Sequence, residues 1–172
     1  MVFAFYVVFG LVEWQRPSAE PAFSPGSACR VTIRVMSRDA SLERVVAGVL
    51  RLNGQMLLCH RKPDRLSWPN VWDFPGGHID NGESSAEALV RELEEELGVQ
   101  VEPPQGPPWM TLHGDNVELI LYLVDHWNGE PRNAAPEEHD DIRWFAPDGL
   151  QLLDLADPSY LAILRRAATS RG

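Results

Sequence analysis

A cluster of glutamates in the middle of the chain has the residue types and spacing of a divalent-cation site. The segment from Gly77 to Val99 reads GHIDNGESSAEALVRELEEELGV and contains six glutamates. In a helix, Glu92, Glu95 and Glu96 are three and four residues apart and share one face. Like charges on one face repel one another, and Mg²⁺ bound to carboxylate oxygens removes that repulsion. The alternative is a solvated acidic helix face that binds nothing.

Local signals predict the helix that carries these carboxylates. Ser84-x-x-Glu87 has the form of a capping box, which opens a helix. Gly98 stands where a left-handed residue commonly ends one. Apolar residues recur between them at helical spacing and predict a buried stripe: Ala86, Leu89, Leu93 and Leu97.

Strands are predicted on both sides of this helix. Asn53-Gly54 is a strong hairpin signal between RVVAGVLRL and QMLLCHR. A short strand near Val71–Phe74 should stop at Pro75-Gly76-Gly77. Three further strands and a last helix are predicted at Trp109–His113, Val117–Val124, Ile142–Phe145 and Ser159–Ala168. This order predicts an α/β fold with a mixed sheet between helices.

Composition and charge limit the classes of molecule that the chain can bind. The chain has 172 residues and a net charge of −10, which argues against duplex nucleic acid because phosphate binding needs a basic surface. A small phosphorylated ligand remains compatible, provided that metal ions meet its charge. Two cysteines, Cys29 and Cys59, form no disulfide framework, so a reducing, cytoplasmic location is expected.

The N-terminal part differs in composition from the rest. MVFAFYVVFGLV is apolar but too short to span a bilayer, and EWQRPSAEPAFSPGSACR reads as a linker. We therefore predict a loosely attached or disordered extension over residues 1–41, one domain over 42–168, and a short tail over 169–172. No firm membrane contact is expected; the alternative for the apolar start is a membrane-surface anchor.

The complete glutamate segment resembles the Nudix hydrolase signature. Every defined position matches without insertion: Gly77, Glu83, Arg91, Glu92, an aliphatic Leu93, Glu95, Glu96, Gly98 and an aliphatic Val99. The resemblance covers about residues 42–168. It implies a Nudix-type αβα sandwich with a loop-helix-loop catalytic motif. It also implies Mg²⁺-dependent hydrolysis of a nucleoside diphosphate linked to another group, with Mn²⁺ as the alternative metal.

The resemblance also implies roles for individual residues. The metal-site residues would be Glu92, Glu95, Glu96, Glu138 and the backbone of Gly76 and Gly77. Arg91 would orient the carboxylate face by an ion pair, and Glu83 would support the loop. The general base would be Glu92 or Glu138, a choice that the sequence leaves open.

A second segment is similar to MutT-type Nudix enzymes, which hydrolyse nucleoside triphosphates. It reads LYLVDHWNGEPRNAAPEEHDDIRWFAPDGL. In that group a glutamate on the loop before a Trp-containing strand reaches the metal site. Counting back from Trp144 places Glu138 there, with Glu137 as the alternative. The neighbouring His139 could be a proton acceptor, although a lone loop histidine more often has no such role.

Substrate-binding residues are less strongly indicated. Arg61 and Lys62 could meet a phosphate tail or serve only as strand-end charges. A base could stack on Trp68, Trp72 or Phe74, of which at least one should belong to the core. Asp157 stands where MutT-type enzymes carry a base-reading Asn, so specificity for oxidised guanine does not follow.

These observations favour a pyrophosphohydrolase that converts a nucleoside triphosphate to its monophosphate and pyrophosphate. Hydrolysis of ADP-ribose or a nucleotide sugar is the first alternative. A non-catalytic nucleotide-sensing module is the second, but such modules typically lose signature carboxylates and this chain has kept all of them. The small nucleotide is the expected partner, and the oligomeric state stays open.

Overall fold

The structure, a computed structural model, describes residues 42–170. The N-terminal segment predicted as an extension lies outside the described residues. Seven strands, one short 3₁₀ turn and two helices follow in chain order: β1 Glu43–Leu52, β2 Gln55–Arg61, β3 Trp72–Asp73, β4 Gly76–His78, α1 Ser85–Leu97, β5 Met110–His113, β6 Val117–Val124, β7 His139–Phe145, the 3₁₀ turn Leu150–Leu152 and α2 Tyr160–Thr169.

The strands form one mixed sheet with the order β3-β2-β1-β6-β5. β4 also pairs with β1, and β7 also pairs with β2. β1 runs parallel to β6 from Glu43↔Val117 to Leu50↔Val124, whereas the other strand pairs are antiparallel. β1 therefore lies at the centre of the sheet and contacts β2, β4 and β6.

The two helices cover opposite faces of this sheet. Side chains alternate along a strand, so Val46 and Leu50 of β1 pack in the α1 layer while Val49 packs in the α2 layer. The α1 layer buries Leu89, Leu93 and Leu97, and the α2 layer buries Ile163, Leu164 and Ala167. The predicted αβα sandwich is confirmed.

The local signals for α1 act as expected at both ends. The Ser84 hydroxyl accepts a hydrogen bond from the Glu87 N–H, and the Glu87 carboxylate accepts one from the Ser84 N–H, which completes the capping box. Gly98 ends the helix with φ of 67°. The buried stripe differs by one residue, because Ala88 is buried while Ala86 is half-buried.

Gly76 and Gly77, predicted with Pro75 to stop a strand, instead begin β4, which spans Gly76–His78. It pairs with Val45–Ala47 of β1 in antiparallel register. The two backbones approach so closely that a Cβ at Gly76 would lie 2.1 Å from the Val46 carbonyl oxygen, and Gly76 has φ of +147°. Only glycine fits there. Pairing with β1 thereby holds Gly76–His78 next to α1.

No helix among residues 42–170 is both long and apolar enough to cross a bilayer.

The hairpin signal at Asn53-Gly54 is confirmed as the turn between β1 and β2. Both residues have positive φ, 52° and 77°, as a type I′ turn requires.

A chain shortened to begin at Met36 should fold and turn over substrate at close to the full-length rate. All buried residues of both core layers lie at or after Val46, so the shortened chain keeps the complete described core. Thermal unfolding and steady-state turnover of the two chains check this. Insolubility or inactivity of the shortened chain would show that residues before Met36 belong to the functional domain.

Candidate active site

The backbone of β4 holds two of the signature carboxylates. The Gly76 N–H donates a hydrogen bond to Glu96 Oε2 at 2.9 Å. At Gly77, an added Cβ would lie 2.4 Å from Glu92 Oε1, so the carboxylate of Glu92 lies directly against this glycine. Because neither glycine has a side chain, the backbone of β4 can contact both of these carboxylates of α1.

Replacing Gly77 with Ala should lower turnover by about tenfold while the protein stays folded. The added methyl group would displace the carboxylate of Glu92, which is the end of a side chain and can move at low cost. Gly106→Ala is the matched control, since a Cβ there meets nothing within 4 Å. Steady-state kinetics and thermal unfolding of both variants check the prediction. Parental turnover in Gly77→Ala would contradict it.

The carboxylates of Glu92, Glu96 and Glu138 lie close enough to influence one another's charge. Burial raises the pKa of Glu92, and the nearby charges of Glu95 and Glu138 raise it further, against the lowering effect of Arg91. Burial raises the pKa of Glu96 well above its usual value, with further contributions from Glu92 and Glu138. The side chain of Glu95 is 60 % exposed and lies at the rim. Hard oxygen donors gathered in this way fit Mg²⁺ or Mn²⁺.

Arg91 connects the helix face to the loop before it. Its Nε and Nη2 each donate to the Glu83 carboxylate at 3.0 Å. Its Nη1 donates to Glu92 Oε1 at 2.8 Å and to Glu95 Oε2 at 3.3 Å, and its Nη2 also reaches the His78 carbonyl oxygen at 3.0 Å. A planar guanidinium can make all these bonds together, so Arg91 orients the glutamates as the spacing predicted.

Glu138 lies at the end of the loop before β7, across from the helix. Its carboxylate is 2.9 Å from Nη2 of Arg65, and its carbonyl oxygen accepts a hydrogen bond from the Lys62 N–H. Glu137 is exposed. Glu138, rather than Glu137, is therefore the glutamate near Glu92 and Glu96, and Arg65 joins it as a cation that the sequence analysis did not single out.

Arg61 occupies a different place from the one expected of a phosphate ligand. Its guanidinium donates to the carbonyl oxygens of Trp68 and Ser67, and one of its nitrogens is 3.7 Å from Asp73. Arg61 thus holds the loop after β2 in shape. Lys62 is half-buried and makes no ion pair within the part of the chain described here.

The candidate stacking residues separate into core and surface. Phe74 is 4 % exposed and packs against Tyr160, so its ring belongs to the core and offers no free face to a base. Trp72 is half-buried, with its ring edge-on to Phe145 and beneath the guanidinium of Arg143. Trp68 is 60 % exposed.

Asp157 forms an Asx turn just before α2 with its side chain. Its Oδ1 accepts a hydrogen bond from the Ser159 N–H at 2.7 Å. Burial raises the pKa of Tyr160, with smaller contributions from the charges of Asp73 and Asp157. The carboxylate therefore has a structural partner in addition to any contact with a ligand.

Three residues near the site were missed or undervalued in the sequence. Asp73 is half-buried and burial raises its pKa to about 6; an acid between two aromatics in WDFPGG was the available signal. His139 is 2 % exposed, and burial lowers its pKa to about 4, so it is not an ordinary loop histidine. Cys59 is fully buried. No local pattern places either residue beside Glu96.

Comparison with known proteins identifies the same family as the signature. The sequence model of the NUDIX domain matches residues 42–167. A nucleoside triphosphatase NudI from Enterobacter sp. (strain 638) is 29 % identical over 133 residues, covering 71 % of this chain and 94 % of the relative. NudI from Escherichia coli O139:H28 is 30 % identical over 123 residues, covering 64 % and 86 %.

Solved structures show the same fold. The crystal structure of a MutT NUDIX hydrolase from Burkholderia pseudomallei superposes with a TM-score of 0.60 and 30 % identity, covering 74 % of this chain and 98 % of that one. The MutT protein from Methanosarcina mazei Go1, at 20 % identity and a TM-score of 0.65, shares the fold. The signature, the fold and these similarities agree, and the chain belongs to the Nudix hydrolase family as a MutT-like pyrophosphohydrolase.

Proposed function

We propose that this protein is a Mg²⁺-dependent hydrolase that converts nucleoside triphosphates to monophosphates and pyrophosphate. The observation that carries the proposal is the convergence of Glu92, Glu96 and Glu138 beside the Gly76–Gly77 backbone. The names of the NudI relatives, nucleoside triphosphatases, support the substrate class.

The metal would be held by the carboxylates of Glu92, Glu95, Glu96 and Glu138, with the backbone of Gly76–Gly77 alongside. A bound Mg²⁺ offsets phosphate charge and lowers the pKa of a bound water. The donor set is entirely oxygen. The pKa values of Glu92 and Glu96 are raised chiefly by burial and further by neighbouring carboxylates, and a divalent cation would relieve that repulsion.

The chain's own residues then orient the reaction. Arg91 fixes Glu92 by a 2.8 Å hydrogen bond, and the Gly76 N–H fixes Glu96. Glu92 or Glu138 would accept the proton of the attacking water. Both lie beside a cation, Arg65 for Glu138 and Arg91 for Glu92, but the Glu92 side chain is the more buried of the two. Comparison of Glu92→Gln with Glu138→Gln would show which of them acts as the base.

Cations on the loop after β2 would meet the phosphate tail. Lys62 and Arg65 both lie beside Glu138, through a backbone hydrogen bond and an ion pair respectively. A phosphate approaching Glu138 would therefore approach the guanidinium of Arg65, and Lys62 would supply a second cation from the same loop. Arg61 would act through the loop that it holds, not by direct contact.

Asp157→Ala should change the preference among bases more than the maximal rate, because the residue touches binding and not the metal. Ratios of kcat/KM between bases should shift by roughly tenfold. Asp157→Asn is the matched variant: its amide oxygen can still accept from the Ser159 N–H, but its NH₂ adds a donor. An unchanged preference in both variants would remove Asp157 from base recognition.

A substrate panel in Mg²⁺ with identified products tests the proposal. It should contain the common nucleoside triphosphates, ADP-ribose and a nucleotide sugar. We expect a triphosphate to be turned over fastest, with monophosphate and pyrophosphate as products. Faster turnover of ADP-ribose or the nucleotide sugar than of every triphosphate would overturn the substrate class.

A further inference from the structure

Three buried side chains form a compact group directly behind the carboxylate face. They are Cys59, Glu96 and His139, whose candidate ligand atoms all lie within 4.8 Å of one another. Their exposed fractions are 0 %, 5 % and 2 %. In residues 42–170 this is the one set of three Cys, His, Asp or Glu side chains gathered so closely. We call it the inner site.

The fold brings these residues together from three separate elements. Cys59 lies in β2 opposite Ile142 of β7, His139 begins β7, and Glu96 lies in the last turn of α1. The backbone of His139 is fixed on both sides: its N–H donates to the Ala135 carbonyl oxygen and its carbonyl oxygen accepts from the Asn133 amide. The backbone that carries the imidazole is therefore fixed at this position.

The imidazole of His139 lacks the partners that a buried polar group normally has. Its Nδ1 is buried without a hydrogen-bond partner in the described chain, and its Nε2 is 4.0 Å from Glu96 Oε1, beyond hydrogen-bond range. Buried polar groups are nearly always satisfied. A buried histidine whose ring is unpartnered and lies next to a thiol and a carboxylate is a candidate metal ligand.

The three donor types select a particular class of cation. Thiolate, imidazole and carboxylate together are ligands of Zn²⁺, whereas Mg²⁺ prefers oxygen donors alone. Tetrahedral Zn²⁺ with bonds of about 2.0–2.3 Å would draw these side chains inward by roughly an ångström from their present spacing. The fourth position would be left to water or a further donor.

We propose that the inner site binds a thiophilic divalent cation of the Zn²⁺ class through Cys59, His139 and Glu96, and that its occupancy inhibits hydrolysis. Binding forms a metal–sulfur bond and releases the thiol proton to solvent. Glu96 belongs to both sites: its Oε2 accepts from the Gly76 N–H and its Oε1 faces His139. A cation bound behind it withdraws this carboxylate from the catalytic set and repels a second cation in front.

Co²⁺ is the probe for binding, because a thiolate ligand gives it a charge-transfer absorption. Cys29→Ser leaves Cys59 as the single thiol of the chain and serves as the reference protein. We expect one equivalent of Co²⁺ to give the thiolate absorption in this protein, Zn²⁺ to displace it, and Cys59→Ala to lose it. No absorption in Cys29→Ser, or the same absorption in Cys59→Ala, would overturn the proposal.

Inhibition provides a second and independent readout. At fixed Mg²⁺ and substrate, Zn²⁺ should inhibit the Cys29→Ser protein, and the inhibitory concentration should rise at least about tenfold in Cys59→Ala. His139→Gln should also weaken Co²⁺ binding and raise the inhibitory Zn²⁺ concentration. This second variant keeps the test decisive if Cys59→Ala fails to fold. Equal Zn²⁺ sensitivity in all folded variants would contradict a regulatory role for the inner site.

Discussion

Replacing Glu96 with Gln should lower kcat/KM on the order of 10²-fold or more. Glu96 is the most buried of the signature carboxylates, and its orientation is fixed by the Gly76 N–H at 2.9 Å. The amide keeps the shape and can still accept that hydrogen bond, but it removes the charge that would hold the metal. Glu95→Gln should also lose activity. Glu94→Gln is the matched control, because Glu94 is exposed on the same helix.

The same substitution should not weaken the fold of the metal-free protein. The folded-state pKa of Glu96 is raised, chiefly by burial, so the folded protein keeps this proton to higher pH than the unfolded chain does. The group's stabilising effect is therefore present at low pH and is lost as pH rises through the window between the two values. At pH 7, Glu96→Gln should melt no lower than the parent. Near-parental turnover in both Glu95→Gln and Glu96→Gln would refute the assigned roles.

Replacing Arg91 with Lys should lower kcat/KM by roughly 10- to 100-fold. The guanidinium bonds Glu83 through two nitrogens while a third reaches Glu92 and Glu95. A lysine ammonium keeps the charge but cannot reproduce this planar set of bonds. The carboxylates would keep their electrostatic partner and lose their orientation.

Arg44→Lys is the control for this change. Arg44 makes an exposed pair with Glu118 and no hydrogen bond to the signature glutamates, and such surface pairs contribute little. Steady-state kinetics of both variants, with metal affinity measured separately, distinguish orientation from binding. If Arg91→Lys matches Arg44→Lys in turnover, the hydrogen-bond geometry of Arg91 has no catalytic importance.

The sequence predicted those features that short-range patterns encode. The capping box at Ser84, the left-handed Gly98 and the hairpin at Asn53-Gly54 all depend on residues within a few positions, and the structure shows each of them. Arg91 and Glu95 are one helical turn apart, so their contact follows from helix geometry alone.

The features that the sequence did not predict depend on contacts between segments that are distant along the chain. Gly76–His78 becomes β4 because β1 pairs with it, and no local signal in FPGGH indicates that partner. Trp72 and Phe74 are two residues apart and both pack in the α2 layer. Phe74 is core because its ring lies against Tyr160 of α2, whereas Trp72 lies on β3 at one end of the strand order, beneath Arg143, and stays half-buried. The inner site combines β2, β7 and α1, and its three residues lie far apart in sequence.

Mn²⁺ binding followed by electron paramagnetic resonance tests the central assignment, that the Glu92–Glu96 face is the divalent-metal site. Cys59→Ala serves as the parent protein, so that the inner site does not contribute. We predict that it binds Mn²⁺, that Mg²⁺ competes, that Glu94→Gln binds equally, and that Glu96→Gln binds at least about tenfold more weakly. Undiminished Mn²⁺ affinity in Glu96→Gln would contradict the assignment.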